Sequence, residues 1–306
     1  MRPSIRAFDM AESVTRPCAI AAPGRPRRSL TLEAGRRLLR SRSAVVGGAL
    51  LLAIGLSILL APILSPYDPI KTNQRDPLQP PNAAHLMGTD RFGRDILSRV
   101  LWGGRISLAV GVVSVGIAAC SGVVLGLAAG YYGRRVDAVI MRLTDLLLAF
   151  PGILLALAII ATLGSSLPNL MIAVGIAAIP EYIRITRGTV LSLVEQEYVL
   201  AARVVGCRDD AVIFKHILPN VTAPLIVLAT LGTAGAIITG SALSFLGLGI
   251  RPPAPEWGNM LAEGRGFLQY AWWVAFFPGL AIMLAVLAIN LLGDGLRDAL
   301  DPRLRL

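Results

Sequence analysis

The sequence has few of the residues from which catalytic and metal centres are built. Its two lysines, Lys71 and Lys215, do not follow glycine-rich loops, and no G-x-x-x-x-G-K-[ST] motif for nucleotide hydrolysis occurs. Its two histidines, His85 and His216, lie far apart, and its three cysteines show no C-x-x-C spacing, so neither predicts a metal site. A G-x-S-x-G nucleophile motif is also missing. The sequence therefore predicts neither an enzyme nor a metalloprotein.

Charged residues are scarce as well. Only 16% of the 306 residues are charged, whereas 55% are hydrophobic and the mean hydropathy is +0.66. A soluble core cannot use that much apolar surface without exposing it, so the composition predicts an integral membrane protein. The formal net charge of +10 does not predict a nucleic-acid partner, because the basic residues follow a membrane topology.

Six apolar stretches are long enough to be candidate membrane spans. A hydrocarbon core of about 30 Å needs about 20 apolar residues in a helix. The predicted spans are residues 44–64, 106–132, 139–163 and 170–185, with a fifth inside 221–248 and a sixth inside 270–292. The fourth is short and is interrupted by Pro180. The predicted fold is an all-α membrane protein with about six transmembrane helices.

The second predicted span carries regularly spaced glycines. Gly122, Gly126 and Gly130 recur every four residues, which places three small residues on one helical face. This pattern predicts close packing against another helix.

Lysine and arginine are unevenly distributed between the two sides of these spans. With six crossings, 21 of the 29 basic residues lie on the side that holds both termini. Positive residues are retained in the cytoplasm, so both termini are predicted to be cytoplasmic. The predicted regions are a basic tail (1–42), a first transmembrane helix (43–64), an extracytoplasmic segment (65–105) and a five-span core (106–306) with a cytoplasmic loop (186–220). The tail is expected to be solvated, with contact to anionic lipid as the alternative.

The loop between the fourth and fifth spans has its own helical pattern. Residues 195–205 are predicted to form a short helix that ends at Gly206, which suits a left-handed backbone. Asp209 is predicted to cap a second helix, residues 210–218, and Pro219 to close it. The composition alone fits two roles equally, a surface that another protein approaches and an amphipathic helix on lipid headgroups.

This loop resembles the cytoplasmic loop of ATP-binding-cassette importer permeases. Ala201, Ala202, Gly206, Leu218 and Pro219 match the pattern Glu-Ala-Ala, three residues, Gly, then hydrophobic-x-Leu-Pro. One position departs from it, because Leu200 stands where the family has glutamate. The resemblance implies a coupling helix that docks on an ATPase. The implied docking residues are Glu197, Tyr198, Leu200, Ala201, Ala202, Arg203, Gly206 and Arg208.

Other segments resemble a narrower group, the second permease of dipeptide, oligopeptide and nickel importers. Residues 85–95 match its HxxGTDxxGRD signature, and residues 130–133, 144–151, 244–249, 256–258 and 290–298 match further motifs. The motif residues singled out are Gly88, Thr89, Asp90, Gly93, Arg94, Asp95, Asp145, Pro151, Leu218 and Pro219. The signature is interpreted either as a structural clamp or as a surface that faces a binding protein. Asp145 is expected to pair with Arg142, and Glu181 with Arg184, one helical turn apart.

The resemblance implies a permease of the type I importer fold that carries short peptides across a bacterial inner membrane. Its implied partners are a homologous permease in a heterodimer, two ATPase subunits and an extracytoplasmic solute-binding protein. ATP and Mg²⁺ would be bound by the ATPases, and this chain would hold no cofactor. Nickel chelates and glutathione-like molecules are alternative substrates. The rival interpretation, an ion-coupled secondary transporter, expects charged groups deep in several spans, and the predicted spans have almost none.

Overall fold

The described part of the chain is almost entirely helical. The computed structural model describes residue 35 and residues 38–300, and within them the sole β-type pairing is an isolated bridge between Thr89 and Asp95. The predicted tail, residues 1–42, lies outside the described residues except for 35 and 38–42. The helices are α1 (Arg42–Leu59), α2 (Ala61–Leu64), α3 (Ile96–Tyr132), α4 (Arg134–Leu148), α5 (Gly152–Leu163), α6 (Leu167–Val194), α7 (Glu197–Val204), α8 (Asp209–Ala211), a π-helix (Val212–Ile217), α9 (Leu218–Phe245), α10 (Trp257–Gly264), a 3₁₀ turn (Arg265–Phe267) and α11 (Trp273–Leu300).

Five helical stretches among the described residues are long and apolar enough to cross a membrane. They are α1, α3, α6, the continuous run Asp209–Phe245, and α11. The pair α4 and α5 would make a sixth span if the two helices are counted together. These findings confirm the predicted all-α membrane fold with about six spans.

The third predicted span is not one straight helix. Residues 139–163 are divided between α4 and α5, which meet at an angle of 90°. Pro151 stands at the N-cap of α5, and a residue that precedes proline is disfavoured in helical conformation, so Phe150 breaks the run. With 12 residues, α5 is about 18 Å long and does not cross a 30 Å core alone.

The fourth span is longer than the sequence predicted. Helix α6 runs for 28 residues from Leu167 to Val194, whereas the prediction was 170–185 with a break at Pro180. Ser166 caps it by accepting a hydrogen bond from the Asn169 amide, and Pro180 lies inside the helix without ending it. The polar residues near its end continue the helix because two of its arginines pair with carboxylates of α4.

The predicted second helix of the loop is also wrong in its limits. Asp209 is the first residue of α8 and not its cap, and Pro219 does not close a helix. The chain instead passes from α8 through six π-helical residues directly into α9. Pro219 falls in the first turn of α9, where its missing N–H and fixed φ are compatible with a helix.

The remaining spans differ from the prediction at their ends. Helix α1 stops at Leu59, ahead of the separate turn α2. Helix α3 begins ten residues before residue 106, because the Asp95 carboxylate accepts the Ser98 amide and caps it. Helix α11 starts at Trp273 and continues to Leu300, past the predicted end at residue 292.

The glycine face of α3 packs against α6, as the sequence predicted. Gly122 lies against Tyr182, Gly126 against Thr186 and Gly130 against Val190. A Cβ atom on Gly130 would come within 2.7 Å of the Cβ atom of Val190, which no real contact allows. Three such approaches over nine residues hold α3 and α6 together as one rigid pair.

Candidate functional site

The loop that follows α6 forms the predicted short helix and glycine turn. We name residues 195–217 the α7 segment. Gly206 has a φ of +85°, and the amide of Cys207 donates to the carbonyl of Ala202 at 3.0 Å, which is the bond pattern of a left-handed helix end. The predicted helix, residues 195–205, corresponds to α7 at Glu197–Val204.

One face of α7 is packed against the chain itself. Val199 and Ala202 are fully buried, and they join the core cluster that contains Val212 and Ile217 of the π-helix. Ala202 therefore does not lie on an open docking surface, contrary to the expectation. Its small side chain lets α7 approach the π-helix closely.

The opposite face of α7 is apolar and open. Leu200 is 46% exposed, Val204 88% and Val205 71%, and the side chains of Glu197, Tyr198 and Ala201 are exposed beside them. Exposed apolar residues grouped on a face of this kind are typical of interaction surfaces. Leu200, in the family's glutamate position, extends this apolar face.

Several polar contacts join the α7 segment to α3 and α9. The hydroxyl of Tyr131, at the end of α3, donates to Asp209 Oδ1 at 2.6 Å, and the Arg203 guanidinium lies 4.8 Å from the Tyr131 ring centroid. Asn220 of α9 donates through Nδ2 to the Tyr198 hydroxyl at 3.3 Å. Partial burial raises the pKa of Tyr198.

Two of these fixing residues were not foreseen as part of the site. Tyr131 lies within the Gly130–Gly133 motif that is recognisable in the sequence. Its contact with Asp209 could not be predicted, because the two residues are 78 positions apart and no local pattern links them. Arg208, which was expected to dock, makes a 3.4 Å contact with Asp210 and is highly exposed. Asn220 gave no signal in the sequence pattern.

The HxxGTDxxGRD signature forms a clamp at the opposite end of α3. We name residues 65–95 together with α10 the cap. The buried Arg94 guanidinium donates to Asp90 at 2.6 Å and to Glu263 of α10 at 2.8 Å. Arg99 lies 3.6 Å from Asp90 and 3.5 Å from Glu263. Two cations and two carboxylates thus join the signature to α10.

The other signature residues shape the same clamp. The Thr89 hydroxyl donates to the Asp76 carbonyl at 2.6 Å, and Asp95 accepts from Ser98 while His85 Nδ1 lies 3.0 Å away. Gly88 and Gly93 both have positive φ, and added side chains would collide with the backbone of residues 79 and 73. Of the two interpretations, the geometry favours the structural clamp.

Asp145 does not pair with Arg142. Its carboxylate accepts from Arg184 of α6 at 2.8 Å, so Arg184 is not paired with Glu181 either. Asp137 of α4 accepts from both Nε and Nη2 of Arg187, the latter at 2.7 Å. The prediction that these residues pair one turn apart was wrong. Because α4 and α6 run side by side, the carboxylates of α4 pair with arginines of α6 and not with neighbours on their own helix.

The two regions lie far apart. The 37 residues of α3 span about 55 Å from the cap to the α7 segment, which exceeds a 30 Å hydrocarbon core. Within the described residues, no group of three or more His, Cys, Asp or Glu side chains is placed to hold a metal ion. The arrangement suits the transmission of movement between two faces of a membrane.

Comparisons with known proteins identify the family of the chain and several relatives. A family model described as "Binding-protein-dependent transport system inner membrane component" matches residues 122–306, and one described as "N-terminal TM domain of oligopeptide transport permease C" matches residues 29–81. The chain is 49% identical over 273 residues to the dipeptide transport system permease protein DppC of Alkalihalophilus pseudofirmus, covering 89% of this chain and 90% of that protein. It is 48% identical to the di/tripeptide transport system permease protein DppC of Pseudomonas aeruginosa (87% and 89% covered). It is also 48% identical to the glutathione transport system permease protein GsiD of Pectobacterium atrosepticum (89% and 91% covered).

The fold and the two end regions define an integral membrane protein of the transport-permease class. The matched length and identity go further, and the chain belongs to the family of binding-protein-dependent transport system inner membrane components. The resemblance to permease subunits of ATP-binding-cassette importers is thereby confirmed.

Proposed function

We propose that the chain is the permease subunit of an importer of short peptides, and that the α7 segment receives the force of an ATPase. Two of the named relatives are described as dipeptide or di/tripeptide permeases, and one is described as a glutathione permease. Glutathione is itself the size of a tripeptide. The translocation pathway forms between this chain and a homologous permease. Two ATPase subunits bind ATP and Mg²⁺, and this chain holds no cofactor.

The observation that carries the proposal is the two-faced packing of α7. Its inner face is fully buried against the chain, whereas Leu200, Val204 and Val205 are left open on the outer face. A helix that floated on headgroups would not need a buried, small-residue contact with its own core. The open face is therefore the docking surface, and the buried face transfers the load to the spans.

The predicted docking residues that are exposed on α7 are the ones we expect to contact the ATPase. The predicted docking residues on the open side are Glu197, Tyr198, Leu200, Ala201 and Gly206, with Arg203 and Arg208 at its margin. Because Leu200 replaces glutamate, docking depends on apolar contact and shape more than on a charge at that position. The partner groove is expected to be correspondingly apolar.

The membrane orientation follows from this role. The α7 segment and both termini face the cytoplasm, which agrees with the 21 basic residues on that side. The cap, about 55 Å away along α3, then lies outside the inner membrane. A solute-binding protein that delivers peptide meets the cap side of the permease.

Reconstitution tests the proposal directly. The complete importer, co-purified with its partner permease and ATPases, is placed in liposomes with its binding protein outside and labelled dipeptide or glutathione as probe. ATP inside the liposomes is expected to drive uptake, and Val204→Glu is expected to reduce both ATPase association and uptake. Glu195→Gln, at an exposed position before α7 that is not among the predicted docking residues, is the surface control. Uptake that persists without ATPase subunits overturns the proposal.

A further inference from the structure

The end of α3 is joined to both halves of the α7 segment by a single side chain. Tyr131 lies one residue before the C-terminus of α3. Its hydroxyl donates to Asp209 Oδ1 at 2.6 Å, and Arg203 lies over its ring at 4.8 Å from the centroid. Arg203 belongs to α7 and Asp209 to α8, so Tyr131 bridges the two sides of the Gly206 turn.

The contact combines two directional interactions of different kinds. A hydroxyl that donates to a carboxylate is a charge-assisted hydrogen bond, and it fixes distance and direction. A guanidinium over an aromatic face is a cation–π contact, and it fixes the plane of the ring. Arg203 and Asp209 carry opposite charges, so the tyrosine holds a compact neutral group. Such an arrangement resists both rotation and separation of α3 and α7.

A second side chain joins the α7 segment to α9. Asn220 Nδ2 donates to the Tyr198 hydroxyl at 3.3 Å and to the His216 carbonyl at 2.6 Å. His216 lies in the π-helix, where the regular i to i−4 bonding of an α-helix is interrupted. The connection to α9 therefore runs through irregular backbone, whereas the connection to α3 runs into a regular 37-residue helix.

Helix α3 is one continuous helix between the cap and the α7 segment. Gly122, Gly126 and Gly130 lock it to α6 over the half that precedes Tyr131. At its other end, Asp95, which belongs to the cap region, is the N-cap residue of α3 and accepts the Ser98 amide. Movement of its C-terminus is therefore delivered to the cap.

We propose that Tyr131 is a positioning residue that couples movement of the α7 segment to α3, and through α3 to the cap. The inference rests on the proposed function, because it assigns a route to the force that the ATPases exert on α7. It assigns a role to the Gly130–Gly133 motif that docking on α7 does not explain. Tyr131 acts through its contacts with Arg203 and Asp209.

The test separates coupling from assembly. In the complete reconstituted importer, Tyr131→Phe removes the hydrogen bond but keeps the ring under Arg203. The ratio of peptide transported to ATP hydrolysed is expected to fall by about three- to tenfold, because the bond is exposed to solvent and so contributes in the range of an ordinary hydrogen bond. ATP hydrolysis and co-purification of the ATPases are expected to persist. Asp209→Ala, which removes the acceptor, should give a similar fall, and the double variant should be no worse than either single variant.

The neighbouring tyrosine supplies the matched control. Tyr132 is exposed, and among the described residues none accepts a hydrogen bond from its hydroxyl. Tyr132→Phe is expected to leave the transport-to-ATP ratio unchanged. An unchanged ratio in Tyr131→Phe, an equal fall in Tyr132→Phe, or additive effects of the Tyr131 and Asp209 variants would overturn the inference. If the wild-type importer shows no ATP-driven uptake, the proposed function fails instead.

Discussion

Gly126 of α3 lies directly against Thr186 of α6, so closely that a Cβ atom on the glycine would be 2.5 Å from the threonine Cβ. The two helices meet along a row of such positions, where α3 contributes no side chain to the contact. Association between membrane helices depends on van der Waals packing of this kind, because lipid tails are as apolar as the side chains. The pair α3–α6 is consequently the rigid centre of the chain.

Gly126→Leu is expected to destabilise the folded protein by about 1–3 kcal/mol, the usual cost of overpacking. The added side chain must displace Thr186 or separate α3 from α6. Gly116→Leu is the control, because that glycine lies in the same helix with open space around it. Thermal unfolding in detergent should show a lowered midpoint for Gly126→Leu alone. Equal midpoints for the two variants would contradict the packing interpretation.

The folded state is expected to lose stability when one charge is removed from the ion pairs that join the HxxGTDxxGRD signature to α10. Arg94→Met leaves the Asp90 and Glu263 carboxylates buried with less compensation, and breaking a buried pair typically costs about 3–5 kcal/mol. Arg91→Met, at an exposed position in the same turn, should have little effect. Unfolding midpoints measure the difference. Adding Glu263→Gln to Arg94→Met should recover part of the loss, and no recovery would count against the clamp.

Much of this arrangement could be predicted from the sequence, because its signals are local or periodic. The glycine row, the apolar spans and the Gly206 turn each depend on residues within one helix or turn. The ion pairs could not be predicted so well. Asp145 has Arg142 one turn away, yet it pairs with Arg184, 39 residues later, because the bend at Pro151 lays α4 beside α6. Helix ends were also missed where distant partners stabilise polar residues.

The two carboxylates of α4 are expected to differ in importance. Asp137 forms a two-point contact with Arg187 and both are mostly shielded, whereas Asp145 and Arg184 are more than half exposed. Asp137→Asn should therefore cost about 1.5 kcal/mol or more, and Asp145→Asn less than about 0.5 kcal/mol. Chemical denaturation of the purified protein measures both. A double variant of Asp145 and Arg142 should show no coupling, and a measured coupling would restore the rejected same-helix pair.

Glu256 is expected to make the stability of the cap depend on pH. Its carboxylate caps α10 by accepting from the amides of Gly258 and Asn259, and burial raises its pKa above the ordinary 4.5. The folded state then binds the proton more tightly than the unfolded state. This contribution to stability is complete at low pH and is lost as pH rises through the raised pKa. In Glu256→Gln, the unfolding midpoint should lose that part of its pH dependence, and an unchanged profile would exclude Glu256 as the source.

Gly206→Leu is expected to block transport while the protein remains in the membrane. The φ of +85° costs a residue with a Cβ atom about 1–2 kcal/mol, but within the described structure that atom would meet nothing within 4 Å. Strain at the turn and obstruction of a partner are thus separable. Gly206→Asn tolerates the left-handed backbone and should restore the turn, so uptake by this variant should exceed that of Gly206→Leu. Gly188→Leu, which also faces open space but lies inside α6, should transport normally. If Gly206→Leu transports as well as the wild type, neither the turn nor its open face is needed for docking.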